Sequence, residues 1–524
     1  MRIDTSLAPL PRSRFSPAAA RHLLWRAGYA GTPQEVRELH ALGLDDAIAR
    51  LVDFDRTDTS ALPSLEVDRD ILRNRTREEQ QEYRAARDAQ DQEVLDRFSR
   101  EGQAARAKDR KLMAQLQQWW AQRMIDTPRP AEERLTLLWH GHFATSYRSV
   151  PDTFLMQQQN QLLRREANGN FATLTRGIVR DPAMLRYLNN NRNNKRRPNE
   201  NLARELMELF TLGVGNYSEN DIKEGARALT GYNVDDNDFR FYQNQHDDEP
   251  KTILGQTGPF DGDAFVDILL RQQACAQFTC LKLYDHFVAD VGDRYDAVPD
   301  APRRVIDDMA RTLMRHEYRI APVLTELFRS RHFYDDAVVG HKIKDPTQLM
   351  VGTVRGLGTP TRQWGALSSG MQAMGQVLFQ PPTVNGWDSG RAWINTSTLF
   401  ARQNLTTYLI SGQHPQKKYK AGDVEYRPTR FFAGDVPSDT APSGGESSGG
   451  SASGGSSSGG GASGGATVEA VVDGVMQHLL GQRVSADRRA VAVRFMQDRG
   501  GSVTDDSLVA LLCLVSSMPE YQLC

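Results

Sequence analysis

Helix start and stop signals recur along this chain with little strand patterning between them, and that punctuation restricts it to a mainly helical fold. Ser16-Pro17 reads as an N-cap followed by proline at the first helical position, and Gly28 closes that helix. Thr32-Pro33-Gln34-Glu35 is a capping box with proline at its first helical position, and Gly43 ends the helix it starts. Apolar residues at helical spacing predict further helices near 131–140, 151–166, 199–213, 218–231, 262–289, 301–330, 345–357 and 390–411. Two segments break the pattern: Phe239-Arg240-Phe241-Tyr242 and Lys251-Thr252-Ile253-Leu254 flank Gln245–Pro250 and are expected to form a small hairpin with a loop. The expected fold class is therefore mainly α, a large multi-helical body with a small β-hairpin near 239–254.

With 524 residues, 39% of them hydrophobic and 25% charged, the chain can bury a large core. Its formal net charge of -2 argues against a protein whose main business is binding nucleic acid or an acidic membrane. The expected organisation is a main helical body over 1–442, a Gly/Ser-rich flexible insertion over 443–466, and C-terminal helices over 467–524 that pack back on the body. Charged helical arms at about 66–125 carry acids that match their bases, which predicts a solvated hairpin and not a nucleic-acid arm. No transmembrane run is present, and the start Met1–Ser6 lacks the basic region and apolar core of a secretory signal, so a cytoplasmic setting is expected. Four cysteines are too few for a disulfide framework, and Cys275 and Cys280 would point away from each other on a helix.

The segment where a function is expected to sit is Asn199–Gly213. At about 100° per residue, Leu202, Leu206, Leu209, Phe210, Ala203 and Met207 cover one side, Arg204, Glu208 and Thr211 the other, and Glu205 falls at the edge of the buried arc. A carboxylate there must be paired, protonated or metal-bound. Ser218-Glu219-Asn220-Asp221 then opens a second helix, making an αα-hairpin. One reading pairs Glu205 with an arginine, Arg227 foremost, in a structural ion pair. The other makes Glu205 and Glu208, supported by Arg204, a carboxylate site for metal or acid–base work.

Leu137–Phe143 holds the chain's one H-x-H, His140-Gly141-His142. On a helix two residues lie about 200° apart and cannot share an ion, whereas in extended chain they can. Gly141 is expected to stop the helix, so that the pair straddles its end; helix-end histidines also serve simply to bond terminal carbonyls. With His246 at the hairpin loop and Glu205, these histidines have ligand types acceptable to a divalent metal, zinc or iron. Trp387, Arg391 and Trp393, on the loop that follows Gln380-Pro381-Pro382, fit either a substrate pocket for a sugar or peptide or a rigid lid over the helical core. There is no P-loop, no kinase set and no C-x-x-C.

Read together, several of these pieces resemble a bacterial family catalogued as domain of unknown function 1800. The matching stretches are Arg21–Tyr29, Trp139–Phe143, Glu200–Leu209 with Thr211-Leu212-Gly213, Ala226–Gly231, His246-Asp247, Lys251-Thr252, Pro381-Pro382, Gly386-Trp387 and Met518–Gln522. The resemblance runs in order over nearly the whole chain, and it implies that the Gly/Ser tract is an insertion. It implies no reaction. It does imply a partner, a phosphatase- or sulfatase-like protein encoded nearby, and an association with the cell envelope or export that stands against the cytoplasmic expectation. Two functions follow for test: a metal-dependent enzyme, hydrolytic or oxidative, built on His140, His142, His246 and Glu205; or a noncatalytic helical scaffold in which the same residues are structural.

Overall fold

A computed structural model of the chain describes residues 3–413, 425–432, 467–481 and 484–524. The architecture is mainly α, with twenty-two α-helices and two small antiparallel hairpins among the described residues. The capping signals do what their chemistry dictates. Ser16 accepts from the Ala19 amide, Thr32 and Glu35 close a reciprocal capping box, and Ser218 and Asp221 close another. The Gly/Ser tract lies outside the described residues.

Several predicted helices are two. The run 262–289 is divided into Gly262–Leu270 and Gln273–Phe287, and 301–330 into Asp300–Arg315 and Ile320–Arg329. The second break turns through Glu317 and Tyr318, both left-handed with φ of 50° and 66°, a conformation that periodicity does not reveal. The predicted hairpin is also partnered differently. Strand β1 (Tyr232–Asp235) pairs with β2 (Asp238–Phe241), and β3 (Lys251–Ile253) pairs with β4 (Gln256–Gly258), so 239–242 and 251–254 belong to separate hairpins. Each strand takes the nearest partner that a tight turn allows.

Two large apolar cores hold the body together. One gathers Leu23, Leu135, Trp139, Phe143, Phe171, Phe210 and Leu281; the other gathers Trp120, Leu137, Leu349, Phe379, Tyr408, Leu479 and Leu511. The helix Pro130–His142, which carries the H-x-H, feeds both, and all of its residues but Leu138 and Gly141 are buried. A helix buried along most of its surface must satisfy most of its polar groups within the protein. Glu133 does so most fully: its carboxylate, 0% exposed, accepts from Arg164 at 2.7 and 2.9 Å and from Trp120 Nε1 at 2.8 Å, and pairs with Arg123. Burial alone would raise the pKa of Glu133, but Arg164 and Arg123 hold it below the ordinary value.

Downstream of the Gly/Ser tract, the helix Asp505–Ser516 packs on Thr396–Ser411. The final residues bridge to the segment 342–344, where the Lys344 amide donates to Gln522 O and the Cys524 amide to Lys342 O, both at 2.9 Å. All four cysteines are free. Among the described residues no helix is long and apolar enough to cross a membrane.

Candidate functional site

The helix Pro130–His142 runs through Gly141 to His142, so the two histidines share one helix and point apart. His140 faces Trp120, Phe379 and Trp387, with ring centroids 5.5, 5.4 and 5.4 Å away. His142 faces the other side, among Trp139, Phe143, Phe171, Phe210 and Phe278. Burial pushes both pKa values down to about 3, with Lys282 adding to the effect at His142, so both rings are neutral at pH 7. His142 Nε2 lies 2.9 Å from the Phe210 carbonyl oxygen, so it must carry the proton and donate, leaving Nδ1 unprotonated and without a partner.

His246 is placed elsewhere, beside Thr230, whose carbonyl oxygen lies 2.8 Å from Nδ1. That contact makes Nδ1 the protonated nitrogen. Among the described residues no group of three or more His, Cys, Asp or Glu side chains could hold a metal ion. The set His140, His142, His246 and Glu205 does not converge. The physical reason at its centre is helical geometry, because continuing the helix through Gly141 turns the two rings to opposite sides.

Nor does Glu205 meet Arg227. That arginine binds Asp247 at 2.7 and 3.1 Å and Glu224 at 2.9 and 3.1 Å. Arg204 turns outward to Glu219 and Glu200. Among the described residues Glu205 has no hydrogen bond or ion pair. It is half-buried, and its pKa is raised first by that burial and then by neighbouring Glu208, with Arg204 opposing. Glu208 accepts from the Tyr217 hydroxyl at 2.6 Å. Asn201–Glu205 is α-helical and Leu206–Thr211 is a π-helical turn, closed by the Leu212 amide on Met207 O at 2.9 Å. A π turn inserts one residue into the helical register and often marks a functional segment. Here it brings the Phe210 carbonyl to His142.

What the structure does bring together is the H-x-H helix and the tryptophan loop. Gly386, with φ of +83°, lies so close to the Gly141 carbonyl that a Cβ there would be 2.2 Å from the oxygen. Trp387 follows and lies against Gly141 and His140. This contact forms one wall of a cleft of about 320 Å³. One stripe of the helix, Arg134, Leu137, Leu138, Gly141 and His142, lines it, as do Leu209, Trp387 and Trp393. Arg391 is exposed on the same loop and does not line the cleft.

The opposite wall is the helix Gln273–Phe287, whose Lys282, Asp285 and His286 sit at i, i+3 and i+4 on one face. Lys342 donates to Asp290, and Arg134 donates to Asp345 at 2.7 Å and to Gln348 at 3.3 Å. Lys282 differs from these two cations, having no hydrogen bond or ion pair among the described residues and lying with its ammonium 4.9 Å from the Phe278 ring centre. Burial lowers the Lys282 pKa, against the pull of Asp285 and Asp293, and burial raises that of Asp285. His286 is held neutral by burial, with Nε2 buried and unpartnered. The sequence reading passed over this face. Its signal was a lysine, an aspartate and a histidine at i, i+3 and i+4, the only charged or titratable polar side chains apart from Cys and Tyr on a largely buried helix.

A family model described as "Protein of unknown function (DUF1800)" matches residues 22–523. The chain belongs to this family. No curated protein and no solved structure matches it. In this DUF1800 chain, then, Trp139–Phe143 and Gly386-Trp387, two of the stretches that carried the resemblance, are packed on each other at one wall of the cleft.

Proposed function

We propose that this protein binds a small polar molecule in the cleft between the H-x-H helix, the helix Gln273–Phe287 and the Asn385–Trp393 loop, and acts on it by acid–base chemistry. The observation that carries this reading is Lys282 beside Asp285. One cleft wall holds an amine whose pKa is lowered and a carboxyl whose pKa is raised, and the two are not joined in an ion pair. Shifts in these two directions bring an amine and a carboxyl closer in proton affinity, as acid–base chemistry requires. Trp387 and Trp393 supply apolar surface, and the paired Arg134 and Lys342 hold the walls in place. His140 and His142, neutral and enclosed by aromatic rings, support the reading as positioning groups: one seats Trp387, the other fixes the π turn.

The test is a thermal-shift screen of small polar metabolites against the wild-type chain and the variants Lys282→Met and Asp285→Asn. Hits are expected for the wild type and lost in both variants, with unliganded melting temperatures within a few degrees of one another. Hits that persist unchanged in both variants would place the binding elsewhere.

A further inference from the structure

The cleft also carries information about what enters it. Resting on the reading just given, we infer that its ligand is an acidic saccharide, a sugar bearing one carboxylate or phosphate. Three features lead there.

The first is charge. Two of the three cations lining the cleft already have acidic partners, Arg134 with Asp345 and Lys342 with Asp290. Lys282 forms no ion pair: its ammonium lies over an aromatic ring, and the neighbouring Asp285 and Asp293 act on it through space without a hydrogen bond. A buried or half-buried cation without a partner is costly, and one anionic group on a ligand would relieve it. The second is the rim. Asp293, Asn385, Asp388 and Ser389 are exposed where they line the opening, and the carboxylates among them accept hydrogen bonds without donating any. An acceptor-rich rim calls for a ligand rich in O–H donors, which a sugar is and a simple carboxylic acid is not. The third is the aromatic wall. Trp387 presents to the cleft the surface not covered by His140 and Gly141, and Trp393 lies beside it. The C–H faces of a pyranose ring pack on such surfaces while its hydroxyls reach polar neighbours. The volume, about 320 Å³, is at the small end for ligand sites and suits one or two sugar rings.

The test is isothermal titration calorimetry on the full chain with D-glucuronate, D-galacturonate, glucose 6-phosphate, D-glucose and acetate, repeated on Lys282→Gln and Asp388→Asn. At least one acidic sugar is expected to bind tenfold or more tightly than both glucose and acetate. Lys282→Gln is expected to erase the preference over glucose, and the surface change Asp388→Asn to weaken acidic and neutral sugars alike. Equal binding of glucose and the acidic sugars, acetate binding as well as they do, or a preference that survives Lys282→Gln overturns the inference. If no sugar binds but the metabolite screen still gives hits that depend on Lys282 and Asp285, the saccharide is wrong and the cleft reading stands. If neither gives binding, both fall.

Discussion

His140 and His142 are two residues apart and in the same neutral state, yet they meet opposite surroundings, and that pairing has a measurable consequence in acid. Their folded pKa values lie near 3, below the ordinary 6.5. The unfolded chain therefore binds more protons than the folded one between those limits, so their contribution to stability is complete above pH 6.5 and is lost as the pH falls toward 3. Each can contribute a slope of up to about 1.4 kcal/mol per pH unit in that window. His140→Leu is expected to remove one such increment, measured as a shallower fall in unfolding free energy from pH 6.5 to pH 4. At pH 7 the same change should cost little, because it deletes an Nε2 that has no partner. Glu133 is the contrasting residue. Replacing it with alanine leaves Arg123 and Arg164 without their shared carboxylate, and a loss of about 3–5 kcal/mol is expected in denaturant unfolding. The sequence made His140, His142 and Glu205 conspicuous but not their partners, and it did not single out Glu133. Glu205 shows why: helical spacing put it at the edge of a buried arc, which it is, while its neighbours depend on tertiary packing that no local pattern encodes.

At the scale of elements, the two glycines where the H-x-H helix meets the tryptophan loop give opposed expectations. Gly141 faces Trp387 at a distance that admits a methyl group, since an added Cβ would lie 3.6 Å from the ring, in ordinary van der Waals contact. Gly141→Ala is therefore expected to be neutral or stabilising by up to about 1 kcal/mol, the helix-propensity difference. Gly386 combines a left-handed φ with a contact that admits no side chain, so Gly386→Ala is expected to cost about 2–4 kcal/mol and to lift Trp387 from His140. The melting temperature of each variant, together with its response to the ligands found for the wild type, separates the two outcomes. Both strings were readable in the sequence, each with an ambiguous role: Gly141 looked like a helix stop and the tryptophan loop like a pocket wall or a lid. The contact between them resolves the ambiguity, and it is long-range. Local signals fared best where chemistry acts within a few residues, as in the capping boxes, and worst where a left-handed turn or an inserted π residue changes the register, as at Glu317-Tyr318 and Leu206–Thr211.

Across the whole molecule, buried arginines bond the carbonyls of segments that are remote in sequence. Arg26 donates to Val288 O at 2.6 Å and Val338 O at 2.7 Å, joining the first long helix to both sides of the 288–338 region. Arg402 is 0% exposed and donates to Lys344 O at 2.7 Å, Gln522 Oε1 at 3.2 Å and Trp393 O at 3.4 Å. It thus ties the tryptophan loop, a wall segment of the cleft and the C-terminal residues to one helix. We take residues 467–524 to be part of the same body on the strength of such ties. Removing the guanidinium leaves the Lys344 carbonyl and the Gln522 amide oxygen without a donor, each costing about 1–3 kcal/mol if it finds no water, while Trp393 O keeps the Thr398 hydroxyl. Arg402→Met, which retains most of the aliphatic bulk, is expected to destabilise the chain by about 3 kcal/mol or more. Arg402→Lys should recover little of this, because one ammonium cannot span three acceptors fixed for a planar fork. Hydrogen exchange gives the sharper readout. If the guanidinium couples the three segments, exchange should accelerate together around Trp393, around Lys344 and around Gln522 in Arg402→Met, while the distant Arg26 contacts stay protected. Acceleration confined to Thr396–Ser411 would mean that Arg402 stabilises only its own helix and that the cleft wall is held by other contacts.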